Sequence, residues 1–185
     1  MASASIVSGT LTINADTSHS YNTTAANPVL YLRTLAPSAT LTAHCKCSGN
    51  ESFEGCFAYV SESRGATDGV RIGPASSDCD LESYDSTSVK PLAMACDDWW
   101  WVRVTVQGTV VSWYMQSNGS TDSPEPTTIG TNYTNTWVYG GQTTLSTREG
   151  AYQTELGIGI LRTGAVSGAF RMACNVVRIT TPGEF

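Results

Sequence analysis

The clearest alternation of hydrophobic and polar positions in the chain lies at residues 99–107. Successive side chains of a β-strand point to opposite faces of the sheet. On one face this rule places only hydrophobic residues: Trp100, Val102, Val104 and Val106. On the other face it places Trp99, Trp101, Arg103, Thr105 and Gln107. The pattern therefore predicts a strand with one buried face and one face rich in aromatic and polar groups.

The next residues predict a partner for this strand. Gly108-Thr109 suits a two-residue hairpin loop with a positive φ at its first position, after which residues 110–116 return antiparallel. One register keeps both faces uniform, pairing Gln107 with Val110, Thr105 with Ser112, Arg103 with Tyr114, and Trp101 with Gln116. Val111, Trp113 and Met115 then extend the hydrophobic face, which we expect to be buried against a second layer.

Similar short runs recur along the whole chain, and no window of a dozen residues has the i, i+3, i+4 spacing of a helix. The predicted strands are residues 5–14, 29–35, 39–47, 55–61, 69–73, 79–84, 99–107, 110–116, 136–139, 152–161 and 169–180. Residues 117–131 contain two glycines and two prolines, which predict a loop that rims one end of the hairpin. The sequence thus predicts an all-β, two-sheet antiparallel sandwich forming a single domain over residues 1–185.

Charge and hydropathy exclude several classes of partner. The formal net charge is −6, and Lys46 and Lys90 are the only lysines, which argues against a surface that follows nucleic acid phosphates. No apolar stretch is long enough to span a bilayer, so membrane insertion is not expected. The N-terminal residues lack the basic and apolar blocks of a secretion signal, so we expect a signal that was removed or never existed.

The cysteines leave two interpretations open. Six cysteines allow fifteen pairings that sequence does not rank. An even number of cysteines is compatible with the two or three disulfides of a secreted sandwich. It is also compatible with Cys174 as a small buried thiol, because Cys174 alternates with Met172 and Val176. Cys45 and Cys47 share one side of a predicted strand, so a bridge between them is not expected. The chain has no C-x-x-C pair, which argues against a zinc cluster.

Two further groups of residues have catalytic potential. Asp78, Asp80 and Glu82 fall at i, i+2 and i+4, a spacing that some sandwich glycosidases use for their acids. Those families begin with glutamate, so a solvated edge or a weak metal site is the favoured interpretation, and no cofactor is expected. His19 and His44 have no recognisable nucleophile motif beside them and are predicted as surface or turn residues.

From residue 99 to residue 180, the order of features resembles concanavalin A-like sandwiches, especially laminin G-like modules. Those modules have a W-x-x-V-x-V-x-G-x-x-V-x-x-Y hairpin, here residues 99–114, then a glycine-rich strand, here residues 156–160. They end on an F-x-G-x-(apolar)-x-x-V-R-I strand, to which residues 168–179 are similar. The resemblance implies a jelly roll whose terminal strands lie side by side, and a role in glycan or protein binding. Related modules occur in tailed-phage virion proteins.

The polar and aromatic face of the hairpin is the predicted ligand or interface site, formed by Trp99, Trp101, Arg103, Tyr114 and Gln116. Indoles stack on sugar rings, and guanidinium and amide groups bind hydroxyls. The same residue types are enriched at protein interfaces, and the protein's own loops can equally cover such a face.

The leading hypothesis is a protein without enzymatic activity on a virion surface or outside the cell. It would decorate a capsid or tail through contacts with its own copies or with capsid and tail proteins. The alternatives are a glycan-binding lectin-like module and a sandwich-fold glycoside hydrolase.

Overall fold

The computed structural model describes residues 3–14, 28–34, 38–48, 54–61, 69–75, 80–84, 98–117, 120–131, 135–144, 154–162 and 171–181. The strands are β1 (Ser3–Val7), β2 (Thr10–Asn14), β3 (Pro28–Thr34), β4 (Ser38–Ser48), β5 (Glu54–Ser61), β6 (Gly69–Ala75), β7 (Asp80–Tyr84), β8 (Trp99–Gln107), β9 (Val110–Ser117), β10 (Thr128–Gly130), β11 (Thr136–Thr144), β12 (Thr154–Arg162) and β13 (Arg171–Thr180). Among these residues there is no helix long and apolar enough to cross a membrane.

The strands form two sheets that pack face to face as a jelly-roll sandwich. The eight-stranded sheet has the order β1-β2-β13-β4-β8-β9-β11-β10, and the five-stranded sheet has the order β3-β12-β5-β6-β7. The described pairings are antiparallel except for β10 with β11. The first hairpin, β1–β2, lies beside the last strand, β13, as the family resemblance implied. The predicted fold class is confirmed.

The β8–β9 hairpin has the predicted register. Trp101 lies opposite Gln116 and Arg103 opposite Tyr114. Gly108 has a φ of 60°, which suits the first position of a two-residue hairpin turn. The hydrophobic face predicted from sequence is buried without exception: Trp100, Val102, Val104, Val106, Val111, Trp113 and Met115.

This hydrophobic face forms much of the core between the sheets. Leu41, Cys45, Ile13 and Met172 extend it across the eight-stranded sheet, and Leu156 and Ile158 reach it from the five-stranded sheet. Burial of this apolar surface is the main stabilising term for a fold of this kind.

A disulfide joins the two longest strands within this core. Cys45 of β4 and Cys174 of β13 lie directly opposite each other, with 4.1 Å between their Cα atoms. Of the two interpretations left open for Cys174, the free thiol is therefore wrong, although its burial in the core is confirmed. Cys47 is also disulfide-bonded, so the interpretation with several bridges is the better one.

Three boundaries differ from the sequence-based prediction. The predicted strand 5–14 is a hairpin, because Ser8 and Gly9 both have positive φ and turn the chain between β1 and β2. Residues 128–130 form the short edge strand β10 inside the predicted loop. β11 continues to Thr144 instead of ending at residue 139, with a register shift between Tyr139 and Gly141. The ring of Trp113 fills the space where a side chain at Gly140 would lie, which explains the glycine.

Candidate functional site on the outer face of the large sheet

The outer face, defined as the side of the eight-stranded sheet that points away from the core, carries the predicted site. Its central feature is a transverse row of side chains on five neighbouring strands: Arg178 (β13), Thr42 (β4), Arg103 (β8), Tyr114 (β9) and Tyr139 (β11). We call this set the arginine–tyrosine row. With a strand spacing of about 4.8 Å, it spans about 19 Å. One end of the row is cationic and the other is aromatic.

A second group of outer-face residues lies beside the row and is buried. The rings of His44 and Trp101 stack with centroids 4.3 Å apart and an interplanar angle of 9°. Trp137 packs edge-on against Trp101 at 6.3 Å. Only 3% of Trp101 and none of Gln116 is exposed. Two residues of the predicted site, Trp101 and Gln116, are therefore closed to a ligand in this structure, and Trp99 is half-buried.

A segment between β9 and β10 lies on the outer face and reaches across to β13. We call residues 120–127 the strap. Its Glu125 carboxylate receives a hydrogen bond from Arg103 Nη2 at 3.0 Å, and Arg178 Nη2 donates to both carboxylate oxygens at 3.0 and 2.7 Å. The predicted loop thus lies over the outer face of the sheet, whereas the sequence predicted it at one end of the hairpin. Coverage by the protein's own chain, one of the interpretations weighed above, applies to this part of the face.

The strap has a second anchor at Asn175, in the register shift of β13. The Asn175 side-chain nitrogen donates to the carbonyl of Thr121 at 2.8 Å, and its Oδ1 lies 2.8 Å from Nδ1 of His44. Because the amide nitrogen points to a carbonyl, Oδ1 must accept the hydrogen bond from His44, which places a proton on Nδ1. His44 is therefore an ordered, buried residue of β4, and the prediction of a surface or turn position is wrong.

Arg103 connects the strap to the aromatic residues. Its guanidinium carbon lies 4.4 Å from the ring centroid of Trp137, while its Nη2 bonds Glu125. Stacking and ion pairing together hold a guanidinium in one plane. The Arg103 side chain nevertheless keeps 31% of its surface exposed, and that of Arg178 keeps 51%. Ion pairs with this much exposure stabilise by only about 0–1 kcal/mol each, so the strap is held weakly at Glu125.

The accessible aromatic groups lie at the other end of the row. Tyr139 is 48% exposed, and its ring meets that of Tyr114 edge-on at 5.6 Å. The Tyr139 hydroxyl donates to Gln142 Oε1 at 3.5 Å. Of the five predicted residues, Arg103 and Tyr114 thus form an open surface with Tyr139, which sequence reasoning missed because it did not pair β11 with β9.

The outer face is also cationic. Where side chains are described, the chain has four lysines and arginines, namely Lys46, Arg103, Arg171 and Arg178, and pairing places all four on the outer face. Over the same residues the carboxylates are Asp98, Asp122 and Glu125, two of which belong to the strap. The sheet itself therefore carries four cations on this side, two of which, Arg103 and Arg178, form ion pairs with Glu125 of the strap.

The acidic triplet lies elsewhere. Asp80 and Glu82 belong to β7, the edge strand of the five-stranded sheet, so they are not part of the outer face. Asp78 and His19 lie outside the described residues. A catalytic or metal-binding role for the triplet stays a prediction.

The comparisons with known proteins show the fold. No family model matches the sequence, and no curated protein is similar to it. A functionally unknown protein from Saccharomyces cerevisiae has a similar structure, with a TM-score of 0.64, 13% identity, and coverage of 97% of this chain and 92% of that one. An alginate lyase from Klebsiella pneumoniae matches with a TM-score of 0.57 and 10% identity, over 95% of this chain and 82% of its own. A xylan β-1,4-xylosidase from Bacillus halodurans matches with a TM-score of 0.64 and 9% identity, over 92% of this chain and 32% of the enzyme.

These neighbours contradict the expectation of a protein without enzymatic activity. That expectation rested on the lack of a recognisable catalytic motif, whereas solved glycoside hydrolases and alginate lyases contain this sandwich. At such low identity the likeness shows the fold alone, and fold does not fix function. The jelly-roll class is confirmed, but nothing in the comparisons is specific to phage proteins. The virion-surface role and location stay predictions.

Proposed function

We propose that this protein binds a uronate-containing polysaccharide on its outer face, along the arginine–tyrosine row. The observation that carries the proposal is the row itself, which places two guanidiniums and two tyrosine rings in one line on neighbouring strands. Guanidinium groups recognise carboxylates in a planar, bidentate geometry. Tyrosine rings stack on the apolar faces of sugars while their hydroxyls stay hydrated. A polymer of sugars that bear carboxylates needs both.

The charge distribution supports an anionic rather than a neutral ligand. Lys46 and Arg171 add to the positive charge of Arg103 and Arg178 on the same face. A clustered positive field on an otherwise acidic protein attracts polyanions and repels them elsewhere. Alginate, the substrate in the name of one structural neighbour, is a polymer of this kind.

The binding prediction uses the tyrosine end of the row. Replacing Tyr114 and Tyr139 together by alanine is expected to weaken binding of alginate oligosaccharides roughly ten- to hundredfold, because both stacking rings at the aromatic end of the row are lost. The fold should persist, since Tyr139 is half-exposed. Isothermal titration with alginate, a sulfated polysaccharide and neutral xylan measures the affinity and the preference for carboxylate.

Ile6→Ala is the matched control, because Ile6 is 74% exposed in the edge strand β1, on the opposite side of the sheet from Tyr114 and Tyr139. It should bind like the wild type. Binding of xylan as tight as that of alginate, or no binding of any polyanion, would contradict the proposal.

Cleavage of the same polymer is a second candidate function, favoured by two groups beside Arg103. His44 lies on the strand to one side of Arg103 and Tyr114 on the strand to the other. In β-elimination, a base removes the proton at C5 of a uronate whose carboxylate is neutralised by a cation. The C4–O bond breaks, the electron pair forms a C4=C5 double bond, and the leaving oxygen takes a proton. Absorbance of the unsaturated product during the same titrations tests this candidate directly.

A further inference from the structure

Glu125 meets Arg103 and Arg178 as a ligand carboxylate would. Its two oxygens receive three hydrogen bonds of 2.7–3.0 Å from arginines on two strands, β8 and β13, with β4 between them. Thr42, the residue of β4 between the two arginines in register, is buried with 2% exposed. The carboxylate is thus held between two cations on a covered sheet, a geometry that serves carboxylate recognition in general.

We propose that Arg103 and Arg178 form the carboxylate subsite of the polysaccharide site and that Glu125 occupies it in the absence of ligand. A uronate carboxylate entering the row displaces Glu125, and the strap then lifts from the outer face. This inference rests on the proposed function, because it assigns the regulation of that same site. We infer that the ligand carries a carboxylate, because the group that occupies the subsite, the Glu125 side chain, is a planar carboxylate with its charge spread over two oxygens.

The contacts of the strap are compatible with displacement. Its polar side-chain anchors among the described residues are Glu125 and the Asn175–Thr121 hydrogen bond, and its Pro126 is buried. The loop hydrogen bonds described for its backbone join Ser123 to Ser120, and Asp122 to the Ser120 hydroxyl, all within the strap. A ligand carboxylate that binds the two arginines replaces the negative charge of Glu125, so neither arginine is left unpaired.

The test compares two variants that each remove one negative charge from the strap. Glu125→Gln removes the competing carboxylate and is expected to tighten binding of alginate oligosaccharides roughly five- to tenfold, because the ligand no longer displaces an ion pair. Asp122→Asn, whose side chain is exposed in the same segment, should change the affinity less than twofold. Asn175→Ala loosens the other anchor and should also tighten binding. Equal effects of Glu125→Gln and Asp122→Asn would show a general charge effect and overturn the inference.

Hydrogen–deuterium exchange of residues 120–127 supplies a second readout. Saturating alginate oligosaccharide should speed exchange in the strap of the wild type, and Glu125→Gln should speed it without ligand. Slower exchange in the strap on binding would mean that the ligand sits on the closed strap, which overturns displacement while the proposed binding function stands. Absence of polyanion binding by both the wild type and Glu125→Gln would overturn the proposed function and this inference with it.

Discussion

Replacing Trp113 by alanine is expected to lower the free energy of unfolding by about 3–5 kcal/mol. The side chain is completely buried between the sheets. Its ring also fills the space over Gly140 and Gly141 of the neighbouring strand, so its removal leaves a cavity that two glycines cannot close. Urea denaturation followed by circular dichroism measures the change.

Trp99→Ala is the control for this variant, because it removes the same side chain from a half-buried position on the outer face. Its loss should be clearly smaller. If Trp113→Ala cost less than about 1 kcal/mol, the assignment of Trp113 to the core would be wrong.

Removing the disulfide should have an effect of similar size. Cys45 and Cys174 are 129 residues apart in sequence, and cross-linking so long a loop lowers the entropy of the unfolded chain by the equivalent of about 5 kcal/mol at room temperature. The double variant Cys45→Ala, Cys174→Ala is expected to lose about 4–5 kcal/mol of unfolding free energy.

Denaturation without reductant measures this loss, and peptide mapping checks that the bridge to Cys47 is still present in the variant. A double variant as stable as the wild type would contradict a native bridge between β4 and β13.

The hairpin of β8 and β9 was predictable because its information is local. Alternation fixed the faces, and the Gly108 turn fixed the register, so each pair across the hairpin followed from counting. The turn at Ser8-Gly9 had a similar local signal, since Ser-Gly is a common turn dipeptide, but residues 5–14 were predicted as one strand.

The state of the predicted site depended on contacts between distant parts of the chain. Trp101 is buried although it lies on the polar side of its strand, and Glu125 reaches Arg178, which is 53 residues away. Periodicity within a strand contains no information on either. The Cys45–Cys174 pairing needed β4 beside β13, and the role of Tyr139 needed β11 beside β9. The residue types on the outer face could therefore be predicted from the sequence, but which of these side chains are open to a ligand could not.

A crystal structure of the protein with a bound alginate oligosaccharide tests the central claim most directly. We expect a uronate carboxylate within hydrogen-bond distance of the guanidiniums of Arg103 and Arg178, and a sugar ring against Tyr139. Glu125 should be displaced from both arginines. An oligosaccharide bound on the five-stranded sheet, with the Glu125 ion pairs intact and the arginine–tyrosine row untouched, would contradict it.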